Sequence, residues 1–404
     1  MSSRNIIIAA IVVLLVIMGV GLYFLFSGSG GTQTVGTTNP TGTLPGNGGQ
    51  NTSLPTSTAA TGLTKTFGII SSSPVLDYFV NATNTVTAIE PGGQIIQIAN
   101  GNVNTISAIP MQNILSASFS HDGAKALVSF GDPNNPQTSV FTLATKTWVP
   151  LAAGLQSPTW SPSDYRITYF TTQAQAGTES LATLDTSKAK PTPTGLTTLH
   201  TQDLAIAWPT KTQIILYTKP SDYVGGDAWV YDLQKTALEP IAIETPGLSL
   251  LWSGAGFSGA GPMALLFSSG ASSLGGSLSL ADISGNIIQR LKLSTLPSKC
   301  LFTLATSTTV TPPTITTSTP YLYCGVPRDQ DTFAISHLPD DYNQMALFTA
   351  DDVYRINLRS GAIDTVFNDQ KQNLDLSDVK FFNGMLFFVN RYDQKLYAIG
   401  LMTM

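Results

Sequence analysis

Charge is scarce in this chain of 404 residues: Asp, Glu, Lys and Arg make up 11% of it, and none falls between Arg4 and Lys65. Without a basic stripe to meet phosphates, nucleic acid is excluded as the main partner. Histidine occurs three times, at 121, 200 and 337, and cysteine twice, at 300 and 324, too few and too scattered for a Cys/His zinc centre. The Gly-x-Ser-x-Gly elbow, the His-Glu-x-x-His helix and the Walker loop are all missing, and no further domain large enough for a hydrolase follows the repeats described below. The acidic residues fall mostly in turns, which disfavours paired glycosidase carboxylates. The expectation is a non-enzyme with no catalytic, cofactor-binding or metal-ligating residues and no cofactor.

A long amphipathic helix is also lacking. What is present is 42% hydrophobic residues with 35 Gly and 24 Pro among many Thr and Ser, a composition that suits an all-β protein rich in turns. The one long apolar run is "IIIAAIVVLLVIMGVGLYFLF", residues 6–26, uncharged and spanning about 31 Å at roughly 1.5 Å per residue. It reads as one transmembrane helix after a short cytoplasmic N-terminus, residues 1–5. Arg4 and the amino terminus place the rest outside the cytoplasm. A cleaved signal peptide is the alternative, with a run longer than such segments usually have. Residues 27–62 carry no charge and almost no apolar group, the composition of a flexible linker. Arg4 is one of 20 basic residues, so 19 remain beyond the run against 25 acidic ones, a net of −6.

From residue 63 onward the chain repeats. "SASFSHDGAKALVSF", "SPTWSPSDYRITYF", "AIAWPTKTQIILY" and "SLLWSGAGFSGAGPMALLF" align on Phe119, Trp160, Trp208 and Trp252, at steps of 41, 48 and 44 residues. Four short strands with their turns consume about this much chain, which is the need of a propeller blade. The units fall near 70–110, 111–152, 153–200, 201–244, 245–293, 294–370 and 371–404. This predicts a seven-bladed β-propeller over 63–404, with six or eight blades as alternatives. The last unit shows only three strands, near 377–381, 384–390 and 395–400. "KTFGII" from Lys65 is a candidate for its fourth, which would remove two open edges; the other possibility is that it joins the first blade.

"SFSHDGAKALVSF" and "PTWSPSDYRITYF" resemble the core of the TolB-like, PD40-type (WD40-like) propeller repeat, an aromatic followed by a Ser-Pro-Asp-Gly turn and an apolar strand. The Asp-Gly turn is lost at Trp208 and Trp252. The whole arrangement is similar to membrane-anchored bacterial propeller proteins of uncharacterised function. A TolB-like role implies a component of an envelope complex. The His121–Asp122–Gly123 turn reads as structure, with Gly for positive φ and Asp for the local backbone, because the next unit has "PSDY" without a His.

Cys300 and Cys324 lie on apparent strands flanking a Thr- and Pro-rich loop, and an even count outside the cytoplasm predicts a disulfide. Beyond Cys324, "GVPRDQDTFAISHLPDDYNQ" is long for a blade connection, and long propeller loops are where binding surfaces arise. Arg328, Asp329, Asp331, His337, Asp340, Asp341 and Tyr342 form its candidate binding set; the plainer reading is a short helix over the blade edge, capped by "LPDD". "GGD" at 225–227 and "ADD" at 350–352 read as turns rather than calcium loops. Together these features predict a tethered binding or scaffold module for a protein or a cell-envelope polymer. An envelope hydrolase working through the central channel is the alternative, and it requires convergent Asp, Glu, Arg or Tyr on the innermost strands.

Overall fold

Five runs, Ala126–Val128, Ile167–Phe170, Ile214–Leu216, Met263–Phe267 and Leu386–Val389, apolar but for Thr168, break the alternation expected of a strand with one wet face. Each is buried almost throughout, because it forms the second strand of a sheet covered on both faces by its neighbours. The computed structural model describes residues 67–401 apart from 173–177, 202, 255–256, 258–260, 271–273 and 309–315. The expected N-terminus (1–5), membrane helix (6–26) and linker (27–62) lie outside the described residues. Among those described, no helix is long and apolar enough to cross a membrane. The chain divides into two units, residues 1–51 and 52–404, and every described residue belongs to the second.

That unit is a ring of seven four-stranded antiparallel sheets. Six blades span 77–107, 114–150, 156–199, 204–246, 249–290 and 300–367, each running inner to outer strand in chain order. The seventh takes three strands from 376–400 and its outermost one, Phe67–Ile69, from the other end of the propeller. Phe67, Gly68 and Ile69 pair with Ile399, Ala398 and Tyr397, so the N-terminal strand completes the last blade and not the first. Seven blades and a closed ring answer both alternatives left by the sequence.

The four aromatics of the repeat lie on inner strands and pack on the preceding blade. Phe119 meets Phe79 at 6.5 Å between ring centroids. Trp160 lies with Leu127 and Val140, and its Nε1 donates to the Ser118 carbonyl at 3.2 Å. Trp208 lies with Phe170 and Leu181, and Trp252 packs against Ile215, Ala228 and Val230. In the turn after Phe119, Asp122 Oδ1 accepts from Ser120 Oγ at 2.8 Å and from the Ala124 amide at 3.0 Å. Gly123 has φ +70°, and a Cβ there would lie 2.1 Å from the Phe79 ring, so both conformation and space demand glycine.

Antiparallel pairing sends the connections between second and third strands, and those between blades, to one face of the ring. Segments 70–76, 219–224, 291–299, 328–350, 368–375 and 391–394 all reach that face. Two expected turns are instead strand starts: Gly225–Asp232 and Asp351–Asn357 begin at the "GGD" and "ADD" segments. Asp227 is spent on the Glu244 amide at 2.7 Å, and Asp351 on a buried lysine.

Candidate functional site

The long connection 328–350 is a strap over blades 4 to 7. It contains two short helices, α1 (Gln330–Ala334) and α2 (Asp340–Asn343). Phe333, Leu338 and Tyr342 are buried and join the core of blades 5 and 6 beside Phe267, Leu278 and Leu322. Under it, Cys300 and Cys324 face each other across the first two strands of blade 6 and form a disulfide, S–S 2.06 Å.

The seven strap candidates do not converge. Asp329 caps α1 by accepting from the Thr332 amide at 2.9 Å, and that bond holds its carboxyl below the usual range. Asp331 is an exposed residue of the same first turn. Arg328 turns toward the connection from blade 6 to blade 7, donating to Asp352 Oδ1 on blade 6 at 2.6 Å and to the carbonyls of Asp369 and Gln372 in that connection. His337 and Asp340 turn the other way, to blade 4. His337 Nδ1 lies 2.7 Å from Asp222 Oδ2, and Asp340 Oδ2 accepts from the Asp222 amide at 2.6 Å. Burial and the nearby Asp222 raise the Asp340 carboxyl. Asp341 accepts from the His337 amide at 2.8 Å, inside the strap. The "LPDD" segment therefore does not cap its helix through a side chain: Pro339 holds the cap position and both Asp carboxylates are used on loop amides.

Tyr342 leads to a group that sequence reasoning missed. Lys299, fully buried, donates to Thr349 Oγ1 at 2.6 Å, to Asp351 Oδ2 at 2.6 Å and to Asp375 Oδ1 at 2.5 Å. Arg391 Nη1 donates to Asp375 Oδ2 at 2.9 Å, and its guanidinium lies 3.5 Å from the Tyr342 ring centroid. Two cations and two carboxylates balance. Burial pushes the Lys299 ammonium down, but Asp351 and Asp375 outweigh it and the net shift is upward. The only local signal is a lysine inside the apolar stretch "LPSKCLF", and its partners come from segments 50 to 76 residues away.

A second missed group joins the first and last blades. Asp77 lies on the innermost strand Asp77–Val80, and Asp378 and Lys380 on the innermost strand Leu376–Phe382, contrary to the expectation that acids fall in turns. Lys380 Nζ contacts Asp77 Oδ1 and lies 3.3 Å from Asp378 Oδ2. Asp77 Oδ2 also accepts from the Phe119 amide at 2.9 Å, which reaches blade 2, and Tyr78 Oη donates to the Asp378 carbonyl at 2.7 Å. Burial, with Asp77 beside it, raises the Asp378 carboxyl to about 7.

No protein-family model matches the sequence, and no curated protein matches it. Solved structures do resemble the chain. YCF48 bound to D1 peptide aligns at 10% identity over 84% of this chain and 95% of its own, TM-score 0.49. The AfRom2 CNH domain aligns at 6% identity over 84% and 99%, TM-score 0.48. TolB from Acinetobacter baumannii aligns at 12% identity over 82% of this chain and 64% of its own, TM-score 0.37. The propeller assignment rests on the strand pairing described above.

Beside the strap, a cavity of about 630 Å³ opens between blades 4 and 5, lined by residues 222–225, 244–246 and 268–270. Around it and the strap, the same face exposes Tyr223 at 68%, Ile335 at 69%, Tyr392 at 48% and Phe348 at 36%. Phe348 and Tyr392 pack together at 5.3 Å.

Proposed function

We propose that this chain is a membrane-tethered, extracytoplasmic scaffold whose propeller binds a protein partner through the strap-bearing face, with residues 6–26 as the anchor. The observation that carries this reading is the division of labour in the strap: Arg328, His337 and Asp340 are spent on groups outside it and Asp329 and Asp341 on amides within it, while large apolar and aromatic side chains remain exposed on the same face. Exposed groups of this kind, rimmed by polar residues, are characteristic of interaction surfaces. The disulfide fits an oxidising compartment. A TolB-like place in an envelope complex is one form of this role. A cell-envelope polymer is the other class of ligand for the same face.

Hydrolysis through the channel is a second reading, because Asp77 and Asp378 do bring two carboxylates together on innermost strands. Asp77, however, is already committed to Lys380 and to the Phe119 amide, the bonds of a ring fastening. The test is crosslinking in intact cells followed by purification of the full-length protein from membranes. A protein that copurifies, and is lost when Ile335 and Tyr392 are both changed to Glu, supports the scaffold. Recovery of the chain alone, or joined only to glycan, overturns it and makes Asp77→Asn the next variant to assay.

A further inference from the structure

We propose that the cavity between blades 4 and 5 is a subsite for arginine side chains of the partner polypeptide; this deepens the reading of the strap-bearing face as a protein-binding surface and rests on it. Glu244 and the aromatic Tyr223 line the cavity with Val224, Thr245, Pro246 and the serines and glycines of 225 and 268–270, Asp222 lies in its wall with its carboxylate buried on His337, and no Lys or Arg is among the lining residues. Tyr223 is the most exposed aromatic of this face. One side of its ring is stacked on His337, at 5.4 Å between centroids and 18° between planes, and the ring is otherwise open to a ligand. His337 is itself held by Asp222, so the platform is braced rather than loose. The field at the Tyr223 hydroxyl is negative: Asp222, Asp341 and Asp340, after desolvation, all push its pKa upward.

Glu244 supplies the second contact. It is exposed and has φ +49°, a left-handed conformation unfavourable for a residue with a side chain. Asp227 Oδ1 holds its amide at 2.7 Å, and Gly225 permits the approach, since a Cβ there would lie 2.9 Å from the Glu244 Cα. A guanidinium is flat enough to lie on the Tyr223 face and forked enough to meet the Glu244 carboxylate, and its charge adds an ion pair that a neutral sugar lacks and an acidic chain opposes. At about 630 Å³ the space exceeds one side chain and admits several residues of a polypeptide.

The full-length protein is titrated with fluorescein-labelled hexa-arginine, hexaglutamate and chitohexaose, using Tyr223→Ala and Glu244→Gln as site variants. Glu239→Gln, an exposed acid on the same blade paired with Lys235, is the control for general acidity. The expected result is binding of hexa-arginine alone, weakened about three- to fivefold by each site variant and unchanged by the control. Equal weakening by Glu239→Gln and Glu244→Gln, or no effect of Tyr223→Ala, overturns the proposal. Chitohexaose binding that depends on Tyr223 replaces the arginine with a glycan and also overturns it. A crosslinked partner retained by Tyr223→Ala and Glu244→Gln retires this cavity and leaves the scaffold standing. The peptide titration reads the cavity even where no partner is recovered.

Discussion

Lys299 places an ammonium group where water does not reach it, and the arrangement is stable because three oxygens meet it within 2.6 Å. Lys299→Met removes the cation and leaves two buried carboxylates with one arginine. The expected cost is about 3–5 kcal/mol, read as a lower urea midpoint with unchanged slope; a loss under 1 kcal/mol would mean that the carboxylates find other partners. At the seam of blades 1 and 7 the sign of the pH dependence is different. The Asp378 carboxyl has risen from 3.8 to about 7, so the folded chain keeps a proton that the unfolded chain releases, and stability falls as pH rises from about 4 to about 7. The groups facing it are Asp77, Lys380 and Tyr78; Lys380 is itself shifted upward, against burial, by Asp77 and Asp378, and keeps its charge through that window. A third of the Asp378 side chain is exposed, so screening keeps the effect modest. Urea midpoints at pH 4.5 and 7.5 test it: Asp378→Asn should lose less stability, or gain more, over that interval than the unmodified chain, and parallel behaviour would remove Asp378 as the cause. Neither cluster was legible in the sequence. Asp77 and Lys380 are 303 positions apart, and only ring closure brings them together.

The strap shows what an element adds to a repeat. Its existence was legible from the excess of residues between Cys324 and the next strand, and its polar content marked it as unlike the other connections. Its wiring was not legible, because local capping rules assign Asp340 and Asp341 to their own helix, whereas Asp340 meets a backbone amide 118 positions away. The apolar residues bind the strap down: Phe333 is fully buried in a core shared by two blades. Phe333→Ala should cost about 3–5 kcal/mol, visible as a lower melting temperature and as faster proteolysis within 328–350. A thermal shift with no local cleavage would show that the core loosens while the strap stays attached. The inner-strand aromatics mark the opposite case. Phe119, Trp160, Trp208 and Trp252 could be aligned by eye because each repeats one packing problem, the fit of a blade against its predecessor.

On the scale of the whole molecule, seven sheets were the reading before any contact was known, with six or eight left open, since short strands recur at blade spacing in most units. Closure depended on three residues. Phe67–Ile69 is a short strand, yet it covers the edge of Lys395–Gly400, and Phe67 packs its ring against Tyr397 at 5.7 Å and against Phe367 of blade 6 at 5.2 Å. Without it the last blade presents a row of unpaired backbone groups, the template for pairing with another chain. Replacing Phe67, Gly68 and Ile69 by Gly-Pro-Gly removes both the ring contacts and a backbone donor. The altered chain should melt at lower temperature and run as larger species in size exclusion as its concentration rises, whereas the unmodified chain keeps its elution volume. If it melts lower but stays the same size, the strand contributes packing and the open edge is protected by something else. If neither property changes, the ring is held by the Asp77–Lys380 seam, and Lys380→Met becomes the substitution that opens it.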